Sequence, residues 1–422
     1  MDIKEDSTMR KEILDAFFQK LEGPSFRVRY WDEDTRNYGS GEPQVTIVFH
    51  RPIPVTMDLV NPILFIGEAY MDDLLDFEGD FDAVMRLAAC NRETMAGEEG
   101  KLLGKAEKLV NAVKNKEQQK EEIQHHYDVG NDFYALWLDK TMSYSCGYFR
   151  RGTDTLYQAQ LNKIDLALRK LHLQPGQKLL DIGSGWGWLL IRAARQYGVK
   201  ATGITLSEEQ YQATLERIRQ FGLEGQVTVK LQDYLDLDPA EETFDRIVSV
   251  GMYEHVGRGN HHRYMQKAHD LLVEGGLSLL HTITGLREHG VNAWIHKYIF
   301  PGGYIPSVRE TVSLLPDYDF HLLHGESLRL HYAKTLELWY ENYRRHWELV
   351  ESRYGRRFAR MWELYLKSCA ANFRVSGLNI HQLLFSKGLC NDLPMTFEHI
   401  YRAEPLQENE EIEGSLRREG AR

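Results

Sequence analysis

Cysteine is scarce in this chain: four in 422 residues, Cys90, Cys146, Cys369 and Cys390, far apart and in no C-x-x-C pair. That scarcity speaks against a disulfide-built extracellular protein and suits a reducing compartment. Long apolar runs are also missing. No segment approaches the roughly 18 uncharged apolar residues a membrane-spanning helix requires. Met1 to Lys11 carries Asp2, Lys4, Glu5, Asp6 and Arg10 with no apolar stretch behind it, unlike a signal peptide. A cytoplasmic location is expected. Positive charge is in deficit, with 51 Lys and Arg against 62 Asp and Glu and a net charge of −11. Such a balance disfavours a nucleic-acid partner, which needs a surplus of basic groups over its binding face. The histidine pairs His125-His126 and His261-His262 lack a companion ligand pattern, so no metal is assigned. There is no internal repeat.

What is present is the composition of a globular protein, 42% hydrophobic and 27% charged, in a chain long enough for two domains. Residues 26 to 90 hold short apolar runs, alternating at Val45, Ile47 and Phe49 and continuous at Ile63, Leu64, Phe65 and Ile66. They predict a small mixed α/β domain ending in a helix near Phe81 to Ala89. A charge-dense stretch, 97–122, reads as a helical linker between an N-terminal domain, 1–96, and a larger domain, 123–403. Two basic clusters stand out: Lys101, Lys105 and Lys108, and Arg353, Arg356, Arg357 and Arg360. Each is either a solvated helix face or a membrane-touching surface.

From Tyr127 onward strands alternate with helices. Strands are predicted at Lys178 to Ile182, Lys200 to Thr205, Val227 to Leu231, Phe244 to Val250 and Leu277 to Thr284. Helical periodicity occupies Trp188 to Tyr197, Glu208 to Phe221 and His262 to Leu272. That alternation predicts a doubly wound, mainly parallel sheet. Beyond Val291, helical spacing of Trp339, Tyr340, Tyr343, Trp347 and Trp362 predicts a helical cap over the sheet's carboxyl edge. A charged tail, 404–422, should fray.

The sharpest local signal is Leu179 to Gly187, a strand running into Gly183-Ser184-Gly185-Trp186-Gly187 and then a helix. Glycines there allow unusual dihedrals and close backbone approach by a ligand, and the helix start offers free N–H groups. The spacing is not G-x-G-x-x-G, so a nucleoside without phosphates fits better than a dinucleotide. Asp181 stands where a ribose hydroxyl or an ammonium group needs an acceptor. The next strand ends at Thr205-Leu206-Ser207, with Gln210 placed as the partner of a Ser207 cap. The third ends in Gln232-Asp233, polar groups suited to an adenine edge. These strand ends line the crevice in which open α/β sheets bind ligands.

From Gln124 to Gly388 the chain resembles the cyclopropane-fatty-acyl-phospholipid synthases, and 26–90 resembles their N-terminal domain. The resemblance runs through His126-Tyr127-Asp128-Val129-Gly130-Asn131-Asp132-Phe133-Tyr134, Tyr144-Ser145-Cys146, Asp181 to Gly187 and Gly203 to Ser207. It continues through Gly251-Met252-Tyr253-Glu254-His255-Val256-Gly257, Leu280 to Ile283, Trp294, Lys297 to Gly303, Tyr332, Phe373-Arg374 and Phe385-Ser386. It implies a class I, Rossmann-like S-adenosylmethionine-dependent methyltransferase fold. The implied reaction moves the sulfonium methyl onto a cis double bond of a phospholipid acyl chain, and proton loss then closes a three-membered ring. It implies bicarbonate as the base, held by Glu254, His281 and Tyr332 with the amides of Cys146 and Ile283. In that reading a protonated or cationic His281 and the Tyr332 hydroxyl donate to the anion, while Glu254 accepts its hydroxyl proton. Cofactor contacts are expected from Tyr144, Ser145, Asp181, Gly183, Gly185, Gly187, Thr205, Leu206, Gln210, Gln232 and Asp233.

Taken without the resemblance, Glu254-His255 could be a helix-cap feature and His281 a satisfied core histidine. No local base supports the Cys146 thiol as a nucleophile. Departures from the family pattern fall at His296 and Tyr304, where acyl-chain selection could change. The implied partner is unsaturated phospholipid in a bilayer, met by peripheral association at the inner face of the membrane, and family members are often homodimers. Rival readings are a lipid methyltransferase giving methylene or methyl-branched chains, a small-molecule N-methyltransferase, and a lipid-binding protein that has lost catalysis.

Overall fold

The computed structural model describes residues 3–54, 61–95 and 130–402. The linker, its lysine cluster, the His126 to Val129 part of the family motif and the tail lie outside these residues. Among the described residues no helix is long and apolar enough to cross a membrane.

The chain divides into two compact units. The first gathers 285–305 and 332–379 with the N-terminal residues. This differs from the expected boundaries, which kept both segments in the larger domain. Helical spacing announces helices but does not name what they pack against. The unit's sheet comprises β1 (Phe26–Arg29), β2 (Thr35–Tyr38), β3 (Val45–Phe49) and β4 (Leu75–Gly79), in the order β2-β1-β3-β4. Val45, Ile47 and Phe49 are buried, as their alternation implies.

The continuous run at Ile63 to Ile66 lies in a helix, Pro62–Met71. Asn61 caps it by accepting from the Leu64 amide at 3.3 Å, and Pro62 occupies the first turn, where no N–H is needed. A Cβ at Gly67 would stand 2.2 Å from Trp294 Cδ1, so only glycine lets that indole lie against the helix.

The helix Arg356–Val375 carries Arg356, Arg357 and Arg360 of the arginine cluster, with Arg353 on the preceding helix, Trp347–Tyr354, and acidic partners engage these three. Arg356 pairs with Asp73, Arg357 with Asp72 and Arg360 with Asp76. Arg360 is buried, and its guanidinium lies 4.0 Å from the Tyr70 ring centroid. These charges serve the unit's own cohesion.

In the second unit β5 (Lys178–Ile182), β6 (Lys200–Thr205), β7 (Val227–Leu231), β8 (Phe244–Val250) and β9 (Leu272–Thr284) pair in parallel in the order β9-β8-β5-β6-β7. The helices Trp188–Tyr197, Glu208–Gln220 and His261–Leu271 make the crossovers. Alternate residues divide between two cores: Leu179 packs with Leu277 and Leu279, and Leu180 with Ile182 and Leu280. Burial on both faces is why these strands read as apolar runs.

Two strands were not foreseen, Phe320–Ser327 and Asn379–Lys387. They pair antiparallel; the second lies beside β9 and the first forms the sheet's edge. Gln382 and Ser386 are fully buried in Asn379–Lys387 and break the apolar pattern that would have announced it.

Candidate active site

The order of the parallel strands reverses between β5 and β8, and ligands bind at the carboxyl ends of strands beside such a switch point. A cleft opens there. Its lining includes all eleven residues expected to meet the cofactor: Tyr144, Ser145, Asp181, Gly183, Gly185, Gly187, Thr205, Leu206, Gln210, Gln232 and Asp233.

The glycine turn is built for close approach. Gly183, Gly185 and Gly187 have φ of 85°, 54° and 83°, the region L side chains avoid. At Gly187 a Cβ would also stand 2.5 Å from Thr214 Cγ2. Asp181 ends β5 fully buried, and its Oδ1 has no hydrogen-bond partner among the described residues. Burial pushes its carboxyl up to about 7, against the opposing charge of Lys163. At the end of β6 the Ser207 hydroxyl accepts from the Gln210 amide at 3.3 Å, and Thr205 Oγ1 donates to Gln210 Oε1 at 2.7 Å. Asp233 uses Oδ1 to accept from the Leu235 amide at 2.8 Å, capping the short turn behind β7.

Among the lining residues that the sequence did not indicate is a buried lysine. Lys163, on the helix Leu156–Lys170, is buried, and its Nζ donates to Ser145 Oγ at 2.9 Å. Burial pulls its ammonium down to about 8, while Asp139, Cys146 and Asp181 hold it up. A lysine within a helix reads as a solvated position, so the sequence carries no signal for it.

A second polar group stands where β8 and β9 end. Glu254, on the short helix Tyr253–Val256, accepts from the Ile283 amide at 2.5 Å. Burial pushes its carboxyl up to about 7, opposed by the amides of Ile283 and Glu254 and by the Thr282 hydroxyl. Its neighbours Met252, His255 and Val256 line the cleft. His281 is wholly buried two residues before Ile283, and the Gln382 side-chain amide meets its Nδ1 at 3.1 Å.

Burial, with Lys163, Lys170 and His381 beside it, holds His281 far below the usual histidine range. Taking a third positive charge into a dry site between two lysines is unfavourable, which favours the neutral N–H donor over the cationic form of His281. Cys146 is buried, and its Sγ faces the Gly147 carbonyl at 3.2 Å and that of Leu328 at 3.8 Å. Tyr332 belongs to the first unit, where its ring packs on Phe373 at 4.6 Å and edge-on to Trp339 at 6.0 Å.

A doubly wound sheet with a glycine turn, an orphaned buried carboxylate and a buried ammonium at its switch point fits a nucleoside that also bears an amino-acid group. This is the fold and the site of an S-adenosylmethionine-dependent methyltransferase. The mycolic acid cyclopropane synthetase family model matches residues 114–383, and a domain of unknown function matches 13–99.

The cyclopropane-fatty-acyl-phospholipid synthase of Escherichia coli K12 is 38% identical over 82% of this chain and 92% of its own length. A probable fatty acid methyltransferase of Pseudomonas putida is 38% identical over 92% of this chain and 99% of its own. Among solved structures, the mycolic acid cyclopropane synthase CmaA1 complexed with SAH and CTAB superposes with a TM-score of 0.60. It is 36% identical, over 64% of this chain and 98% of that one. The chain belongs to the cyclopropane synthase family of S-adenosylmethionine-dependent methyltransferases.

Proposed function

We propose that this protein methylates the cis double bond of an unsaturated phospholipid acyl chain and then removes a proton from the new carbon, closing a cyclopropane ring. The observation that carries the reading is the half-buried Glu254, its Oε2 shielded from solvent and its Oε1 bonded to the Ile283 amide, with the buried His281 two residues along the same strand and cleft-lining residues on either side of the glutamate. S-adenosylmethionine supplies an electrophilic methyl on sulfur. Asp181 and Lys163 suit the two charges of its amino-acid end, a buried acceptor for the ammonium and a buried donor for the carboxylate.

An alkene is a weak nucleophile, so the protein's contribution is alignment and the exclusion of water, not activation. The proton-removing step calls for a base held in a dry setting. Bicarbonate fits that role, with Glu254, His281 and the amide of Cys146 as the residues that would hold it. His281 contributes a hydrogen-bond donor, and Glu254 an acceptor that also occupies the Ile283 amide.

Phospholipid as substrate is supported by the name of the Escherichia coli relative, and a peripheral encounter with the inner face of the membrane is proposed alongside it. The Pseudomonas putida relative favours a second reading, in which the product is a methyl-branched or methylene chain.

The test is to incubate the purified chain with S-adenosylmethionine and vesicles of cis-monounsaturated phospholipid, then identify the released fatty acids by gas chromatography and mass spectrometry. A cyclopropane acid is expected. A methylene or methyl-branched acid would transfer the protein to the second reading, and unaltered acyl chains despite cofactor binding would overturn both.

A further inference from the structure

A buried polar chain runs through the second unit beside the proposed base site. Lys170 Nζ is completely shielded from solvent and makes a close ion pair with Glu326. It also donates to Gln382 Oε1 at 2.8 Å, and Gln382 Nε2 lies 3.1 Å from His281 Nδ1. The four residues come from the helix Leu156–Lys170, the two antiparallel strands and β9.

The chemistry of the first member dictates the state of the last. An ammonium has only donors, so the amide atom facing Lys170 must be the oxygen. The amide NH₂ of Gln382 must then face His281, and an NH₂ group can only donate. His281 Nδ1 must therefore be the lone-pair nitrogen, and the single ring proton of the neutral imidazole must sit on Nε2. That Nε2 is buried and has no hydrogen-bond partner among the described residues. An imidazolium would oppose its Nδ1–H to the NH₂ of Gln382.

We propose that Gln382 is a positioning residue, which Lys170 orients and which fixes His281 as an Nε2–H donor. The donor role rests on the functional reading above. His281 can then bind an acceptor at the reacting centre but cannot serve as the proton-accepting base. This removes the most obvious alternative to an external base.

The experiment is ¹⁵N NMR of the full chain labelled at histidine, with the His281 signal assigned by its loss in His281→Gln. Wild type should show a neutral Nε2–H imidazole that does not titrate between pH 6 and 9. Gln382→Glu places an acceptor opposite Nδ1, so the ring should switch to Nδ1–H or become cationic. Turnover should fall about 10²-fold, the usual cost of losing one placed donor, with S-adenosylhomocysteine affinity unchanged.

An Nδ1–H or titrating ring in wild type, or wild-type turnover in Gln382→Glu, would overturn the inference. The wild-type spectrum decides the tautomer even if the variant does not fold. Nε2–H in a protein that makes no cyclopropane would sink the functional reading and leave the tautomer standing. Nδ1–H in a protein that does make it would sink the tautomer alone.

Discussion

Glu254 accepts the Ile283 amide proton at 2.5 Å, which ties the short helix after β8 to the end of β9 and holds a carboxyl where burial pushes its pKa up to about 7. Glutamine keeps the acceptor and removes the charge. Glu254→Gln should therefore bind S-adenosylhomocysteine as wild type does and lose at least about 10²-fold in turnover.

The same substitution makes a stability prediction. A carboxyl raised from about 4.5 to about 7 by folding contributes stability that is full below the unfolded value and lost as pH rises through the folded one. The shift corresponds to on the order of 3 kcal/mol. At pH 8 the unliganded Glu254→Gln protein should melt no lower than wild type, and the advantage should vanish near pH 5. Scanning calorimetry at the two pH values checks this, and a variant less stable at pH 8 would contradict it.

Cofactor affinity should peak in a narrow pH window. Asp181 must be ionised to accept and Lys163 protonated to donate, with values displaced to about 7 and about 8. Titration calorimetry with S-adenosylhomocysteine should show affinity falling below pH 7 and again above pH 8, by up to tenfold per pH unit. Asp181→Asn should flatten the acid limb and Lys163→Met the alkaline limb. Equal affinity from pH 6 to 9 in wild type would refute the pairing.

These residues also mark how far the sequence could be read. β5 to β8 were legible because strands buried on both faces are apolar runs bounded by turns, and the glycine turn was legible because its backbone excludes other residues. Glu254 and His281 were visible through family resemblance alone; taken singly each could have been structural. Lys163 and Lys170 lie on a helix, Leu156–Lys170, to which no sequence motif drew attention, and Gln382 interrupted a strand and so hid it. Their partners are distant in sequence, 212 residues apart for Lys170 and Gln382, and pattern reading sees only neighbours.

Gly187 should tolerate no side chain. Alanine there must adopt φ near 83° and meet Thr214 Cγ2, which should cost about 1–3 kcal/mol in chemical denaturation. Thr214→Ser removes that methyl and keeps the hydroxyl's bond to the Gln210 carbonyl at 2.7 Å, so the double variant should recover part of the loss. An unchanged midpoint for Gly187→Ala would contradict the steric account.

In the first unit, Arg360→Met should destabilise by about 1–3 kcal/mol, because Asp76 and the Tyr70 and Leu75 carbonyls lose a buried guanidinium donor, while Asp76 keeps His50 and the Tyr70 carbonyl keeps the Asp73 amide. A double variant, Arg360→Met with Asp76→Asn, should be milder. Additive losses in urea denaturation would show that the pair does not couple. Because 332–379 packs within this unit, removing residues 1–96 would break the same network.

The most direct test of the central claim uses S-adenosylmethionine with a trideuterated methyl and vesicles of a cis-monounsaturated phospholipid. Methyl transfer followed by proton removal from that carbon predicts a cyclopropane acid that carries two deuterium atoms and resists catalytic hydrogenation under conditions that reduce alkenes. A product retaining all three deuterium atoms would contradict the account, since the transferred carbon would never have surrendered a proton to a base.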